Sequence, residues 1–376
     1  MVDTCPSALI REGMASGIAE EMSVINVATS ARQDFTALLE GELHLSIDKL
    51  EGQAPLLSRM VRFHLGWIDA AGDATDTDTR EAVRGKRIRP QLAFLSCAAA
   101  TGEPALAAPL AAAIELLHNF TLIHDDIQDR SPNRRHRATV WRIWGDAQAI
   151  NAGDVLFATA QCALLRTDTS RVPAETLLHL IDEFNQATIS IVRGQVLDLE
   201  FERQATVTTD EYLTMIGGKT AAIMRYAAWA GAIVGGATES TASRLGDLGE
   251  ALGIGFQIRD DILGIWGACE ATGKDQADDI RRRKKSLPIL MLLESAAGEQ
   301  AERLTTLYDM DEIDESGVAE VLRLLDDYDI QTRATARVAH YHDVAESALR
   351  TSTGSFSEAS ASDLETMIRR LDTRGA

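Results

Sequence analysis

Positive charge is scarce in this chain. Its 37 lysines and arginines face 57 aspartates and glutamates, a net charge of −20 over 376 residues. That balance excludes a general nucleic-acid surface, which needs basic stripes to neutralise phosphates. Aromatic residues make up only 5%, and the eight prolines leave 174–287 and everything after Pro288 uninterrupted. Without alternating β-branched runs, such stretches favour long helices. Four cysteines, Cys5, Cys97, Cys162 and Cys269, stand far apart with no CxxC pair. They offer no zinc framework and suit a reducing compartment. Uninterrupted apolar runs are short as well. The most apolar stretch, AAIMRYAAWAGAIVGG, is broken by Arg225, so no membrane span is expected. The N-terminus carries Asp3, Glu12, Glu20 and Glu21, unlike a signal or transit peptide. A cytoplasmic protein is expected.

Alanine and leucine are abundant, 45% of residues are apolar, and the composition favours helix over sheet. The expected fold class is all-α. Residues 1–30 read as a poorly ordered N-terminal extension and 31–376 as a single all-helical domain. AGDATDTDTREAVRG reads as a loop between a helix near 55–70 and one starting near Lys86. TSTGSFSEASAS, 351–362, reads as a loop before a last short helix.

Acidic residues are where the chemistry concentrates. A helix is expected from about Ala105 to Asp129, with Leu106, Leu110, Ile114 and Leu117 forming its core face and Pro132 forbidding continuation. His118, Asp125 and Asp129 fall within about 60° on an ideal helix. Carboxylates in the last turn also meet the negative end of the helix dipole. A divalent cation resolves both repulsions. The problem recurs in GFQIRDDILGIWG, where Asp260 and Asp261 sit near a helix end and Gln257 lies about one turn earlier. Two such ends are expected to face each other across a cavity. Carboxylate-only ligation suits magnesium, which favours phosphate oxygens, so a phosphorylated small molecule is the expected ligand.

Basic clusters accompany the acids: RGKRIRP at 84–90, RRHR at 134–137 and RRRKK at 281–285. Five of the six lysines, Lys86, Lys219, Lys274, Lys284 and Lys285, fall in these or neighbouring motifs, as point charges aimed at phosphates beside arginine clamps. GGKT at 217–220 is not a P-loop, because the first glycine that motif requires is Leu213. His124-Asp125 also fits the metal phosphohydrolases that use an HD pair, with His118 and His136 available, but that reading leaves Asp260 and Asp261 unused.

GKRIRP (85–90), LLHNFTLIHDDIQDRSPNRR (116–135), GGKTA (217–221), GFQIRDDILG (255–264) and TGKDQADDIRRRKKSLPIL (272–290) resemble, in order, the motifs of the trans-prenyl diphosphate synthases, or polyprenyl synthetases. The resemblance spans roughly 31–350 and implies an isoprenoid-synthase-type helical bundle around a deep central cavity, usually a homodimer. It implies that Lys86, Arg89, His118 and Arg135 hold isopentenyl diphosphate. Asp125 and Asp129, supported by Asp126, and Asp260, beside Asp261 and Gln257, would bind about three magnesium ions on the allylic diphosphate. Arg134, Lys219, Thr220 and Lys274 would grip that diphosphate, with Lys284 in the tail of the second motif. Phe120 and Thr121, five and four residues before Asp125, would set product length, and the single aromatic resembles geranylgeranyl-forming members. On an ideal helix Thr121 shares the Asp125 face, whereas Phe120 lies about 140° away.

Two departures stand out. RRHRAT replaces the family's RRGxPT, which implies a less tightly turned loop, and Gly264 stands where some members have a third aspartate. Rival readings are a farnesyl or longer-chain synthase, a non-catalytic regulatory subunit, and an HD-type phosphohydrolase.

Overall fold

The computed structural model describes residues 35–101, 103–267, 277–310, 312–352, 356 and 358–372. The expected 1–30 extension therefore lies outside the described residues, as does Lys274. Helix α1 covers 35–51. It is followed by α2 (Pro55–His64), α3 (Thr77–Arg84), α4 (Ile88–Thr101) and, after a 3-10 turn, α5 (Ala108–Gln128). A hairpin of β1 (Asn133–Arg134) and β2 (Arg137–Ala138) leads to α6 (Val140–Trp144), α7 (Asp146–Leu164), α8 (Ala174–Phe201) and α9 (Thr209–Ile216). A π turn, Gly217–Ala221, joins α9 to α10 (Ala222–Val234), and α11 (Glu239–Trp266) follows. The remaining helices are α12 (Asp278–Arg281), α13 (Leu287–Ser295), α14 (Glu299–Asp309), α15 (Glu315–Asp327), α16 (Ile330–Ser352) and α17 (Glu358–Asp372).

Helix α5 lies in the main core, where Leu110, Ile114, Leu116 and Leu117 are wholly enclosed. It packs along α7, while α11 packs between α10 and α16. A second apolar cluster gathers around α13 and α15, and Tyr341 of α16 touches both clusters. Among the described residues, the helix long and apolar enough to cross a membrane is Pro104–Gln128, not the 222–234 stretch, and 67% of its apolar window is buried inside the protein. That burial is what a core helix needs.

Three expectations are corrected. The stretch read as a loop after residue 70 contains α3, started by Asp76, whose carboxylate accepts from Thr79 N at 2.7 Å; this cap was hidden in a polar run. In 351–362, α16 continues to Ser352 and α17 already begins at Glu358. The RRHR loop is tight, not loose. It closes a two-residue hairpin with Arg135 and His136 at φ 49° and 61°, the left-handed pair that such hairpins require.

The π turn is wedged between two long helices by missing side chains. A Cβ on Gly194 of α8 would lie 2.2 Å from Lys219 N, and one on Gly253 of α11 would lie 2.6 Å from Ala221 Cα. Backbone can approach that closely only where there is no Cβ. A single π turn re-aims the side chains that follow it, and here the re-aimed residues are Lys219 and Thr220.

Candidate active site

The acidic end of α5 opens on a cavity of about 1760 Å³, walled by Asp126, Asp129, Arg134, Asp198, Lys219, Asp279 and Lys284 among others. Asp125 and Asp260 are half-buried and stand just outside this lining. Each acts on a cavity cation: Asp125 on Lys219, and Asp260 on Lys284. Lys284 in turn acts on Asp129 and is itself held by Asp198, so it senses both ends.

At the first end, α5 stops with Asp129 as its C-cap. Burial pushes the Asp125 carboxyl up to about 6, opposed by Lys219 and reinforced by Asp129. Burial raises Asp126 and Asp129 as well, against the pull of Arg134 and Lys219 respectively. Asp126 differs from its neighbours. It turns inward and takes Arg134 through Nε at 2.9 and 3.1 Å and Nη2 at 2.8 Å, a fork that also fixes the hairpin. For Lys219, burial disfavours the charged amine, yet Asp198 and Asp125 outweigh it and raise its pKa. Its Nζ is 2.5 Å from Asp198 Oδ2.

At the second end the paired aspartates divide. Asp261 is wholly buried, 0% exposed. Its carboxylate accepts from the Tyr212 hydroxyl, from Leu287 N at 3.1 Å and from Gln257 Nε2 at 3.2 Å. Burial raises its pKa, while Lys284, at 3.7 Å, pulls it down. Gln257 accepts from Thr220 Oγ1 at 3.1 Å, so Thr220, Gln257, Asp261 and Tyr212 form an internal chain that braces the π turn against α11. Asp260 is left as the half-buried acid of the pair.

Beside α5, Arg89 Nη1 lies 3.3 Å from His118 Nε2. Burial, then Arg89 and the hairpin arginines, hold His118 well below the ordinary histidine value, so it is neutral. Arg135 donates to the Val83 carbonyl, and Lys86 is exposed one residue past the turn at Gly85. Phe120 and Thr121 are not in the cavity lining. Phe120 meets His124 edge-on and Phe157 at a tilt, with ring centroids 4.7 and 5.4 Å away, and Thr121 bonds back to the His118 carbonyl at 2.8 Å.

Sequence reasoning missed Asp198, Asp279 and Tyr212. For Asp198 a signal existed, since GQVLDLE puts Gly194 and Asp198 on one face four residues apart. The donors around the cavity are oxygens, and the acids at the first end are disfavoured in ionised form, which a divalent cation would reverse. Among the described residues no three acids, histidines or cysteines converge closely enough to hold a metal unaided. Magnesium keeps waters and shares phosphate oxygens, so the arrangement fits it.

The polyprenyl synthetase profile matches residues 78–325. The chain is 42% identical over 252 residues to a (2E,6E)-farnesyl diphosphate synthase of Mycobacterium bovis, covering 67% of each. It is 38% identical over 266 residues to a geranylgeranyl diphosphate synthase of Mycobacterium tuberculosis, covering 71% of this chain and 72% of that one. Among solved structures, a polyprenyl synthetase from Streptomyces coelicolor superposes with a TM-score of 0.80 at 34% identity, over 90% of this chain and 98% of the other. By profile, sequence identity and helical frame, the chain belongs to the polyprenyl synthetase family of prenyltransferases.

Proposed function

We propose that the protein condenses isopentenyl diphosphate head-to-tail with an allylic diphosphate, in trans geometry, to give geranylgeranyl diphosphate. The observation that carries the reaction is the acidic end of α5 on one cavity with Lys219, Lys284 and Arg134, with Asp260 of α11 acting on Lys284 from outside the lining. Asp125, Asp129 and Asp260 would hold magnesium, which when bound neutralises charge developing on the departing pyrophosphate. Lys219 and Arg134 steady the same leaving group, with Asp198 and Asp126 fixing where their charges point. Lys86, Arg89, neutral His118 and Arg135 hold the diphosphate of the second substrate, so its double bond attacks the allylic carbocation. One proton is then lost, and the departing pyrophosphate is the base at hand. The buried helical walls keep water from quenching the cation.

Product length is read from Phe120, whose ring sits against Phe157 of α7, with Thr121 carrying no aromatic ring. A farnesyl product is the second reading, favoured by the 42% identity to a protein named as a farnesyl synthase. Incubation with magnesium, isopentenyl diphosphate and dimethylallyl, geranyl or farnesyl diphosphate, followed by mass identification of the released alcohols, decides the matter. A C20 alcohol supports the reading, and a C15 alcohol moves it to the second. No condensation by folded protein removes it.

A homodimer completes the reading. Leu178, Ile189, Val192 and Val196 recur on one face of α8, with Leu178 67% and Ile189 60% exposed. Ile150 on α7 and Leu165 just past its end are exposed as well. An apolar stripe of this kind is where a second copy would sit.

A further inference from the structure

One enclosed histidine has no place in the account above. His64 closes α2, and among the described residues no hydrogen bond reaches its Nε2, which is sealed from solvent. Its other ring nitrogen is engaged. Asn119 of α5 donates from its amide nitrogen to the Glu115 carbonyl at 2.8 Å and to Glu115 Oε1 at 3.2 Å. The Asn119 oxygen is therefore the atom turned to His64, which donates to it through Nδ1–H. A neutral ring that donates from Nδ1 carries a lone pair on Nε2. Burial, followed by Arg134 and Arg135, lowers the His64 pKa to about 3, so the ring stays neutral near pH 7.

What that lone pair faces is set by the β1–β2 hairpin. A small cavity of about 30 Å³ lies beside His64, bounded also by Asn119, Arg134, Arg135 and Arg137. It is polar and has room for one water. The three guanidiniums are donors only, and they differ in how firmly they are held. Arg137 donates to the Phe63 and Ile68 carbonyls at 3.2 and 2.9 Å and lies over the Phe63 ring. Arg134 is forked onto Asp126. Arg135 donates to the Val83 carbonyl alone among the described residues, so it has the most N–H groups to spare. Burial already disfavours its charge, with Glu115 opposing. Its Nη2 lies 2.8 Å from where a Cβ on Gly85 would stand, directly before Lys86.

We propose that His64 is a positioning residue for the isopentenyl diphosphate subsite, its Nε2 holding the Arg135 guanidinium through one bridging water in this cavity. The inference rests on the role given to Arg135 above. A carboxylate in that place would pair with the guanidinium and blunt the charge meant for the diphosphate, whereas a neutral imidazole orients it through water and leaves the charge whole.

The test uses the full chain without magnesium, so that metal-dependent binding at the acidic helix ends does not contribute. Calorimetry follows isopentenyl diphosphate binding to wild type, to His64→Leu, which removes the acceptor, and to His64→Gln, which returns an oxygen near Nε2. His64→Leu, with an unchanged melting temperature, weakens binding by about tenfold, and His64→Gln restores it to within about threefold of wild type. In condensation assays with magnesium, the KM for isopentenyl diphosphate rises alike in His64→Leu, while the KM for the allylic diphosphate stays within about twofold. On an Arg135→Ala background His64→Leu changes affinity by less than about twofold, because the group it acts through is gone.

Wild-type binding in His64→Leu overturns the proposal. So does an undiminished loss on the Arg135→Ala background, or a rise confined to the allylic KM, which would assign the effect to Arg134. If His64→Leu melts early, His64→Gln decides: affinity near wild type upholds the proposal, and a loss of about tenfold ends it. Wild-type protein that binds isopentenyl diphosphate yet condenses nothing sinks the prenyl-transfer reading, while the magnesium-free binding still judges His64.

Discussion

Asp260 and Asp261 are adjacent and chemically identical, yet the fold gives them opposite tasks. One is half-buried beside a cavity cation, and the other is a fully bonded strut. Adjacent helix positions point about 100° apart, so a doublet at a helix end divides in this way whenever one face is core. Asp260→Ala and Asp125→Ala are each expected to abolish turnover with the helical circular dichroism unchanged; full activity in either would remove these residues from the metal site. Asp125 also carries a pH signature. Its folded pKa of about 6 exceeds the ordinary 3.8, so ionisation penalises the metal-free fold. The penalty is absent below 3.8, grows between the two values and is complete above 6, reaching ~3 kcal/mol. Asp125→Asn should therefore raise the melting temperature of metal-free protein at pH 7.5, with about half that gain at pH 5. An equal gain at both values would show that burial is not the cause.

Among the elements, the π turn and its two flanking helices do most to shape the site. Gly194→Ala drives a methyl into the backbone of Lys219 at 2.2 Å. The expected cost is about 1–3 kcal/mol in denaturant unfolding, together with a fall in turnover as Lys219 is displaced from Asp198. Unchanged stability would mean the helices can part without consequence. Helix α5 carries the other element-scale expectation. Phe120→Ala opens space against Phe157 and should lengthen the product by at least one isoprene unit; an unchanged chain length would take Phe120 out of the pocket floor. The acidic end of α5 was legible because Asp125 and Asp129 obey helical spacing and Pro132 ends the run. Asp198 and Asp279 were not legible. Each is an acid in a segment whose partners, Lys219 for one and Gly264 for the other, are set by packing between elements.

At the scale of the molecule, the apolar stripe on α8 is the feature a single chain leaves unresolved. Leu178→Glu/Ile189→Glu should shift the solution mass from twice 40.8 kDa to one copy, measured by light scattering. Retention of the dimer would place the interface elsewhere. The net charge of −20 adds a general repulsion between copies, screened beyond about 10 Å at 0.1 M salt, so a homodimer formed on this stripe would have to be held by apolar burial.

Local patterns determined the all-helical class, the two acidic helix ends, the accompanying cations and the family resemblance. Each depends on spacing within about twenty residues, where helix geometry alone sets which side chains meet. Tertiary structure decided the rest. It buried Asp261 while leaving Asp260 half-buried, brought Asp198 to Lys219, turned Phe120 toward α7 and closed the RRHR hairpin. It also set Asp279 against Gly264. Those outcomes depend on how closely whole helices approach, and that is fixed by small residues and buried volumes on segments far apart in the chain.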